Sequence, residues 1–303
     1  MTATPHTSPS DAPLRDAASV VLLRDGAAGL EVLLMQRHPD AKVLGGWFVF
    51  PGGKLDAADC APHWQPHLDT PPHPLPARLN EADLPAHQAQ GVYVAALREL
   101  FEEAGVLLAQ GTSASAESQV AALAVAAPQL RGTLAASHDL LAWAQTHRLQ
   151  WHTQALQPWS RWITPINPQV SSARFDTRFF LARMPANQTV QADTYEVVHS
   201  LWLTPREALQ RHWVGEMPLI PPQLMGLAQL ARHHTVDSAL QEAAQRPAPC
   251  ILPELIDLGD QRGMCYPGDP LHSVPQRALP GPTRLRMHKQ RFEPFNGFEE
   301  WFV

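Results

Sequence analysis

Residues 91–108, GVYVAALRELFEEAGVLL, decide how the rest of the chain folds. Arranged at about 100° per residue, this stretch predicts a helix with two different faces. One face is an apolar stripe with the spacing of a helix that packs on a core, and it comprises Val94, Leu97, Phe101, Ala104 and Leu108. The opposite face carries three acids at the same spacing, which are Glu99, Glu102 and Glu103.

These three carboxylates repel one another, by about 0.2–0.5 kcal/mol for each like-charged pair even in water. A hard divalent cation would turn that repulsion into coordination, because Mg²⁺ is held by a few carboxylates together with water and substrate phosphates. Arg98 precedes Glu102 by four residues and is placed to pair with it. The alternative is an ordinary solvated helix face. The neighbouring sequence favours the cation site, since the apolar segment 47–50 leads into the turn PGG at 51–53, where backbone can approach closely.

With these residues the sequence resembles the Nudix hydrolases, whose signature is G-x5-E-x7-R-E-U-x-E-E-x-G-U, with U a bulky aliphatic residue. The run RELFEEAGV at 98–106 matches the second half in full, and FPGG at 50–53 supplies the usual start of the first half. Two departures are present. Asp59 stands where the signature has Glu, and residues 60–97 stand where it has its x7 segment. The surplus predicts an inserted loop, and whether Asp59 folds back to the helix is left open.

The resemblance implies an α/β fold, namely a Nudix α/β/α sandwich with a mixed sheet, an inserted loop and extra helices. It also implies Mg²⁺ or Mn²⁺ as cofactor, with Arg98 as an orienting residue behind the ligands. The metal ligands it implies are the backbone carbonyl at Gly52 and the side chains of Glu99, Glu102 and Glu103. A glutamate would orient or deprotonate the attacking water, and Glu102, Glu103 and Glu196 stay open for this role. Glu196 enters because an acid before a W-x-T-P-x-E-A-L helix start reaches the metals in the family, with Asp193 and Asp176 as weaker choices.

Four residues are predicted to meet the substrate. Gly53 lies in the close-approach turn, and Arg37 ends a strand where the family often has a substrate-facing Arg, although an exposed strand-end Arg is an equal alternative. On the strand at 174–181, alternation places Arg174 and Arg178 on one face. They could bind phosphate oxygens bidentately, or they could belong to a salt-bridged sheet face; both alternatives stay open.

The long insert, the strand ARFDTRFFLA and the helix start LWLTPREAL resemble the Nudix subgroup that contains the peroxisomal coenzyme A diphosphatase. This implies cleavage of CoA or acyl-CoA to 3′,5′-ADP and (acyl-)phosphopantetheine. The alternatives are a Nudix hydrolase of ADP-ribose, NADH or capped RNA, and a non-catalytic Nudix-fold ligand sensor. The three intact glutamates count against the sensor.

Domain organisation follows from composition. Residues 1–14 predict a disordered leader and residues 15–235 the Nudix domain, followed by a Pro-rich C-terminal extension, 236–303, packed on it. Within the domain, 60–90 predicts a lid-like inserted loop and 112–150 a helical insertion.

The composition also limits the partners. A net charge of −6 over 303 residues argues against broad affinity for nucleic acid or anionic membranes, and no apolar run reaches the length of about 18 residues that a membrane helix needs. Three cysteines are too few for a disulfide scaffold and suit a reducing cytoplasm. We therefore expect a cytoplasmic enzyme that acts on a small nucleoside diphosphate; the oligomeric state stays open.

Overall fold

The structure of the protein is a computed structural model. It describes residues 13–41, 43–111, 137–166, 174–191, 197–257, 259 and 262–303. The strands are β1 Leu14–Gly26, β2 Gly29–Arg37, β3 Phe48–Val49, β4 Gly52–Lys54, β5 Ala109–Gly111, β6 Leu149–Trp151, β7 Gln157–Ile163, β8 Arg174–Arg183, β9 Val197–Leu203, β10 Cys250–Ile251, β11 Glu254–Asp257, β12 Arg262–Cys265, β13 Arg284–His288 and β14 Arg291–Glu293. The helices are α1 Leu75–Arg78, α2 Ala86–Ala104, α3 Ser137–Thr146, α4 Pro205–Val214, α5 Pro221–Leu230 and α6 Val236–Ala244.

The main sheet has eight strands in the order β10-β7-β8-β1-β2-β3, with β4 paired to β1 and β9 paired to β2. β1 runs antiparallel to β2 through a tight hairpin in which Gly26 pairs with Gly29. It runs parallel to β8 over most of its length, from Leu14 to Leu23. The predicted mixed sheet is therefore observed.

Alternation along β1 and β2 gives the sheet two apolar faces, because successive side chains of a strand point to opposite sides. Residues such as Val20 and Leu33 pack with α2 in one core, whereas Val21 and Leu34 pack in a second core with α4, α5 and α6. These three layers confirm the predicted α/β/α sandwich.

Helix α2 is the predicted two-faced helix, but it begins earlier and ends sooner than its sequence pattern indicated. It ends because Gly105 adopts a left-handed backbone (φ 69°), and the Gly105 N–H donates to the carbonyl of Phe101. Leu108 therefore lies outside the helix, and its assignment to the helical stripe was wrong. It is buried all the same, in the core beside α2.

The described part of the chain between Asp59 and α2 packs against the α2 side of the sheet. Trp64, Leu75 and Leu79 are buried in the same core as the apolar residues of α2, and the ring of Trp64 meets that of Trp151 edge-on at 6.1 Å. The predicted insert 60–90 thus contributes core residues. Residues 112–136, most of the predicted helical insertion, lie outside the described residues, and α3 and β6 occupy much of the remainder.

The C-terminal part adds one strand to the main sheet and forms a second, smaller sheet. β10 joins the main sheet beside β7, and β11 to β14 form a separate antiparallel sheet. Leu285 and Trp301 are buried in the core that also contains α4 to α6. The domain boundaries given by the sequence stay predictions. None of the helices in the described part of the chain is long and apolar enough to cross a membrane.

Candidate active site

The turn before β4 is held against the central strand. Gly52 and Gly53 pair with Ser19 and Ala18 of β1. The carbonyl of Pro51 accepts two further hydrogen bonds, from the Val20 N–H at 2.8 Å and from the Ser19 hydroxyl at 3.0 Å. Because the turn is fixed in this way, its backbone has a defined position relative to α2.

Two of the three helix acids contact this turn directly. The Gly52 N–H donates to Oε2 of Glu103 at 2.9 Å. A Cβ added to Gly53 would lie 2.3 Å from Oε1 of Glu99, so the Glu99 carboxylate can hold this position only because residue 53 has no side chain. The turn and the acidic face of α2 therefore form one surface.

Arg98 links the acids to the insert. Its side chain is almost fully buried, and it donates to both carboxylate oxygens of Asp59 at 3.1 and 3.0 Å. Its Nη1 donates to Glu99 at 2.8 Å and to Glu102 at 3.0 Å, and its Nη2 also donates to the Lys54 carbonyl at 3.0 Å. Burial by itself would lower the pKa of Arg98, but the hydrogen bonds and charges of these carboxylates raise it above its usual value. One permanent cation thus orients three acids.

Glu102 shows how crowded the negative charge is. Burial raises the pKa of its carboxyl to about 7, with Glu99 and Asp59 adding to the rise and Arg98 opposing it. Further positive charge would stabilise the ionised form of this carboxyl, and a divalent cation would supply it. The oxygen ligands of this surface are also the type that Mg²⁺ and Mn²⁺ prefer.

The carboxylates do not converge on a single point. Within the described ranges, no three Asp, Glu, His or Cys side chains are grouped so that they could hold a metal ion. Glu99 and Glu102 face Arg98, and Glu103 faces the Gly52 N–H. Cation binding in this arrangement would therefore require these carboxylates to exchange part of their present hydrogen bonds for the ion.

Arg37, the last residue of β2, lies beside Glu103. Its Nη1 lies 3.7 Å from Oε1 of Glu103, and its Nε donates to the Val43 carbonyl at 3.2 Å. The loop that follows β2 is thereby tied to the rim of the acidic surface.

Comparisons with known proteins decide the family. Residues 76–230 match the model of the NUDT19 Nudix domain. The chain is 31% identical over 278 residues to the acyl-coenzyme A diphosphatase NUDT19 of Homo sapiens, covering 81% of this chain and 73% of that protein. It is 29% identical over 310 residues to the Gallus gallus protein of the same name, covering 85% and 79%. The chain is a Nudix hydrolase.

The solved structures agree with this fold. A NUDIX hydrolase from Alicyclobacillus acidocaldarius superposes with a TM-score of 0.59 at 24% identity, covering 76% of this chain and 97% of that one. The predicted family, fold class and enzyme class of this Nudix hydrolase are therefore confirmed. Nudix hydrolases generally use divalent metal ions.

The structure brings together most of the predicted site residues of this Nudix hydrolase. The group on one surface comprises Arg37, Gly52, Gly53, Arg98, Glu99, Glu102 and Glu103. Glu196 and the weaker choice Asp193 lie outside the described residues. The metal, catalytic and substrate roles of all these residues stay predictions.

The strand arginines have other partners. Arg178 on β8 is 4% exposed, and it donates to both oxygens of Glu81, at 3.0 and 2.7 Å, and also to Asp16. Asp176, the other weaker choice for the metals, accepts from Arg161 at 2.8 Å. Of the two alternatives for this strand, the salt-bridged face is the arrangement observed. A phosphate could reach Arg178 only by replacing buried ion pairs.

Arg174 lies at the start of the same strand and donates to the carbonyl of Thr164 at 3.2 Å. This contact ties the beginning of β8 to the end of β7. Among the described residues, Arg174 makes no hydrogen bond to the acidic surface. Its predicted role toward phosphate therefore has no support from its contacts.

Sequence reasoning left Asp59 undecided and missed Glu81. Asp59 was recognised at its position in the signature, but whether it folds back to Arg98 was left open. Glu81 was not considered, because nothing in its local sequence distinguishes it from other loop acids. Its partner Arg178 is 97 residues away.

Proposed function

We propose that this Nudix hydrolase is a diphosphatase that depends on Mg²⁺ or Mn²⁺ and cleaves CoA or acyl-CoA to 3′,5′-ADP and (acyl-)phosphopantetheine. The observation that carries the proposal is the similarity to acyl-coenzyme A diphosphatases over 81% of the chain, well beyond the signature residues. ADP-ribose, NADH and capped RNA, the alternatives left open by the sequence, remain the competing substrates.

Each residue of the acidic surface would have a distinct role in catalysis. Glu99, Glu102 and Glu103, with the Gly52 carbonyl, would hold the divalent ions, and Arg98 would keep two of these acids oriented. When bound, such ions would neutralise a diphosphate and acidify a water molecule for attack at phosphorus. Arg37, at the rim beside Glu103, would face a phosphate oxygen of the substrate.

The base that takes the proton of the water would be Glu102, Glu103 or Glu196. Glu102 and Glu103 lie on the acidic surface, whereas the assignment of Glu196 depends on its place before the α4 helix start. Separate substitutions of the three by Gln would distinguish them if the affinity for the divalent ion is measured together with kcat, because loss of the base lowers kcat while leaving metal and substrate binding largely intact.

The proposal is tested with a substrate panel. CoA, an acyl-CoA, ADP-ribose, NADH and capped RNA are incubated with the enzyme and Mg²⁺ or Mn²⁺, and the products are identified by mass. We expect 3′,5′-ADP from CoA and acyl-CoA, and none without the divalent ion. Hydrolysis of ADP-ribose with CoA left intact would contradict the proposed substrate.

The metal assignment has its own test. Glu102→Gln should lower kcat/KM by at least about tenfold, since it removes one charged ligand. Glu216→Gln is the matched control, because Glu216 is exposed just after the end of α4. A loss of less than tenfold for Glu102→Gln would contradict the role of this acid.

We also expect this enzyme in the cytoplasm. Cys60, Cys250 and Cys265 are all free thiols, as suits a reducing compartment. Fractionation of cells that express the full chain would test this expectation.

A further inference from the structure

A polar cleft lies apart from the acidic surface, near β7, the strand that flanks β8 on the side away from β1. It has a volume of about 420 Å³ and lies between the end of α1, the start of β7 and the segment after α6. Its polar lining consists of Arg78, Gln157, Gln245 and Arg246. None of the acids of the candidate active site belongs to this lining.

The donors that line the cleft have weak partners. The hydrogen bonds that Arg78, Gln157 and Arg246 donate in the described structure go to backbone carbonyls, at 3.3–3.4 Å. These distances exceed the usual range of about 2.7–3.2 Å for such bonds. An anion in the cleft could therefore replace these bonds with shorter, charge-assisted ones.

Arg246 is the least satisfied of these residues. Its side chain is partly exposed, but its Nη2 is closed to solvent and has no hydrogen-bond partner among the described residues, so the guanidinium would have to turn for Nη2 to meet an anion in the cleft. Burial also lowers the pKa of its guanidinium, with Glu242 opposing that shift. Leaving a buried charged donor without a partner is costly, so a turn of the Arg246 side chain that brings Nη2 to an anion would relieve an existing penalty.

The charge of the cleft is positive. Its lining holds two arginines and, among the residues that the structure describes there, no acid. The nearest carboxylate to Arg246 is that of Glu242 at 3.7 Å, and this group also binds His233 at 3.2 Å and Gln229 at 3.0 Å. Glu242 is thus a shared partner that neutralises Arg246 only in part.

We propose that this cleft binds the phosphate group of a small molecule. Planar guanidinium groups match the oxygens of phosphate in pairs, and the Gln157 amide supplies a further donor beside them. The volume falls within the range of about 300–1,000 Å³ that is typical of small-molecule sites. Arg78 also packs over the ring of Tyr93 on α2, at 5.2 Å, so the site adjoins the helix that carries Glu99, Glu102 and Glu103. The proposal does not depend on which substrate the enzyme cleaves.

The test is isothermal titration calorimetry of the full chain in a chloride buffer. The buffer contains EDTA, so that no divalent ion is present at the acidic surface. The probes are inorganic phosphate, inorganic pyrophosphate and adenosine 3′,5′-bisphosphate, which separate a free-phosphate site from one for an organic phosphate. We expect binding of at least one probe, and an affinity at least about tenfold lower in Arg246→Gln. Arg148→Gln is the matched control, because Arg148 is exposed and lies outside the cleft lining.

Two further variants keep the result decisive. Arg78→Gln should also weaken binding, which covers the case that Arg246→Gln does not fold. Glu102→Gln should leave the affinity unchanged, because the acidic surface is a different place; this separates the cleft from the proposed catalytic function. The proposal would be overturned if no probe binds, or if Arg246→Gln and Arg78→Gln both bind as tightly as the unmodified chain.

Discussion

Asp59 and Arg98 form a bidentate ion pair that closes the segment inserted between them. Both oxygens of Asp59 accept hydrogen bonds from Arg98, and the Asp59 side chain is fully buried. The same guanidinium donates to Glu99 and Glu102. An aspartate outside the helix therefore holds the cation that orients two of the acids that we propose as metal ligands.

The first prediction concerns this pair. Asp59→Asn removes a buried negative charge opposite Arg98 and should lower the free energy of unfolding by up to about 3–5 kcal/mol. It should also lower kcat by at least about tenfold, because Arg98 then holds Glu99 and Glu102 less firmly. Urea unfolding and steady-state kinetics measure the two effects.

Asp56→Asn is the control for this prediction. Asp56 also lies near Arg98, at 3.8 Å, but its side chain is 60% exposed. Its loss should cost less than about 1 kcal/mol, as for other exposed ion pairs. Equal effects of the two substitutions would contradict the special role of Asp59.

Sequence patterns predicted the faces of the elements well, because a face depends on local spacing. The stripe of α2 and the alternation along β8 are both observed, with Phe180 in one core and Phe179 in the other. The end of α2 was placed too late because Leu108 continues the apolar spacing after Gly105 has already turned the chain.

Contacts between residues far apart in the chain could not be predicted from the sequence. The alternation on β8 placed Arg178 on a polar face, but it gave no means of choosing between phosphate and a salt bridge. That choice depends on where the insert carries Glu81, and the insert has no pattern that fixes its path. The same reason left Asp59 undecided, since the segment 60–97 separates it from Arg98.

The second prediction concerns the turn beside the acids. Gly53→Ala places a Cβ where the Glu99 carboxylate now lies. Because that carboxylate is the end of a flexible side chain, it should move aside, and the free energy of unfolding should change by no more than about 1 kcal/mol. The displaced acid should lower kcat/KM by at least about tenfold. Activity within twofold of the unmodified enzyme would show that the contact between Gly53 and Glu99 is not needed.

The third prediction concerns the anchor of the insert. Glu81 accepts from Arg178 and pairs with Arg161 at 2.8 Å, so Glu81→Gln leaves two arginines with less compensating charge. The free energy of unfolding should fall by about 3–5 kcal/mol in urea titrations. Asp83→Asn, an exposed acid two residues later, serves as the control and should have an effect below about 0.5 kcal/mol. Similar losses in both variants would mean that the network around Arg178 does not anchor the insert.

The fourth prediction concerns pH and His212, which joins α4 to the C-terminal sheet. The ring is buried, with Nε2 2.9 Å from the Phe292 carbonyl and Nδ1 accepting from the Leu219 N–H at 3.3 Å. Burial lowers the pKa of His212 below its ordinary value of 6.5, and the Phe292 and Met217 carbonyls oppose that shift. The folded protein therefore keeps this ring neutral at a pH where the unfolded chain already binds a proton.

Since the unfolded chain binds more protons in that window, the free energy of unfolding should fall as the pH decreases below 6.5 and recover as it rises again. His212→Gln removes this proton uptake, so its free energy of unfolding should change less steeply with pH between 6.5 and the lowered pKa. His234→Gln replaces an exposed histidine and should keep the slope of the unmodified protein. Urea unfolding at a series of pH values gives the three slopes; an unchanged slope in His212→Gln would mean that this ring is not the group that couples folding to pH.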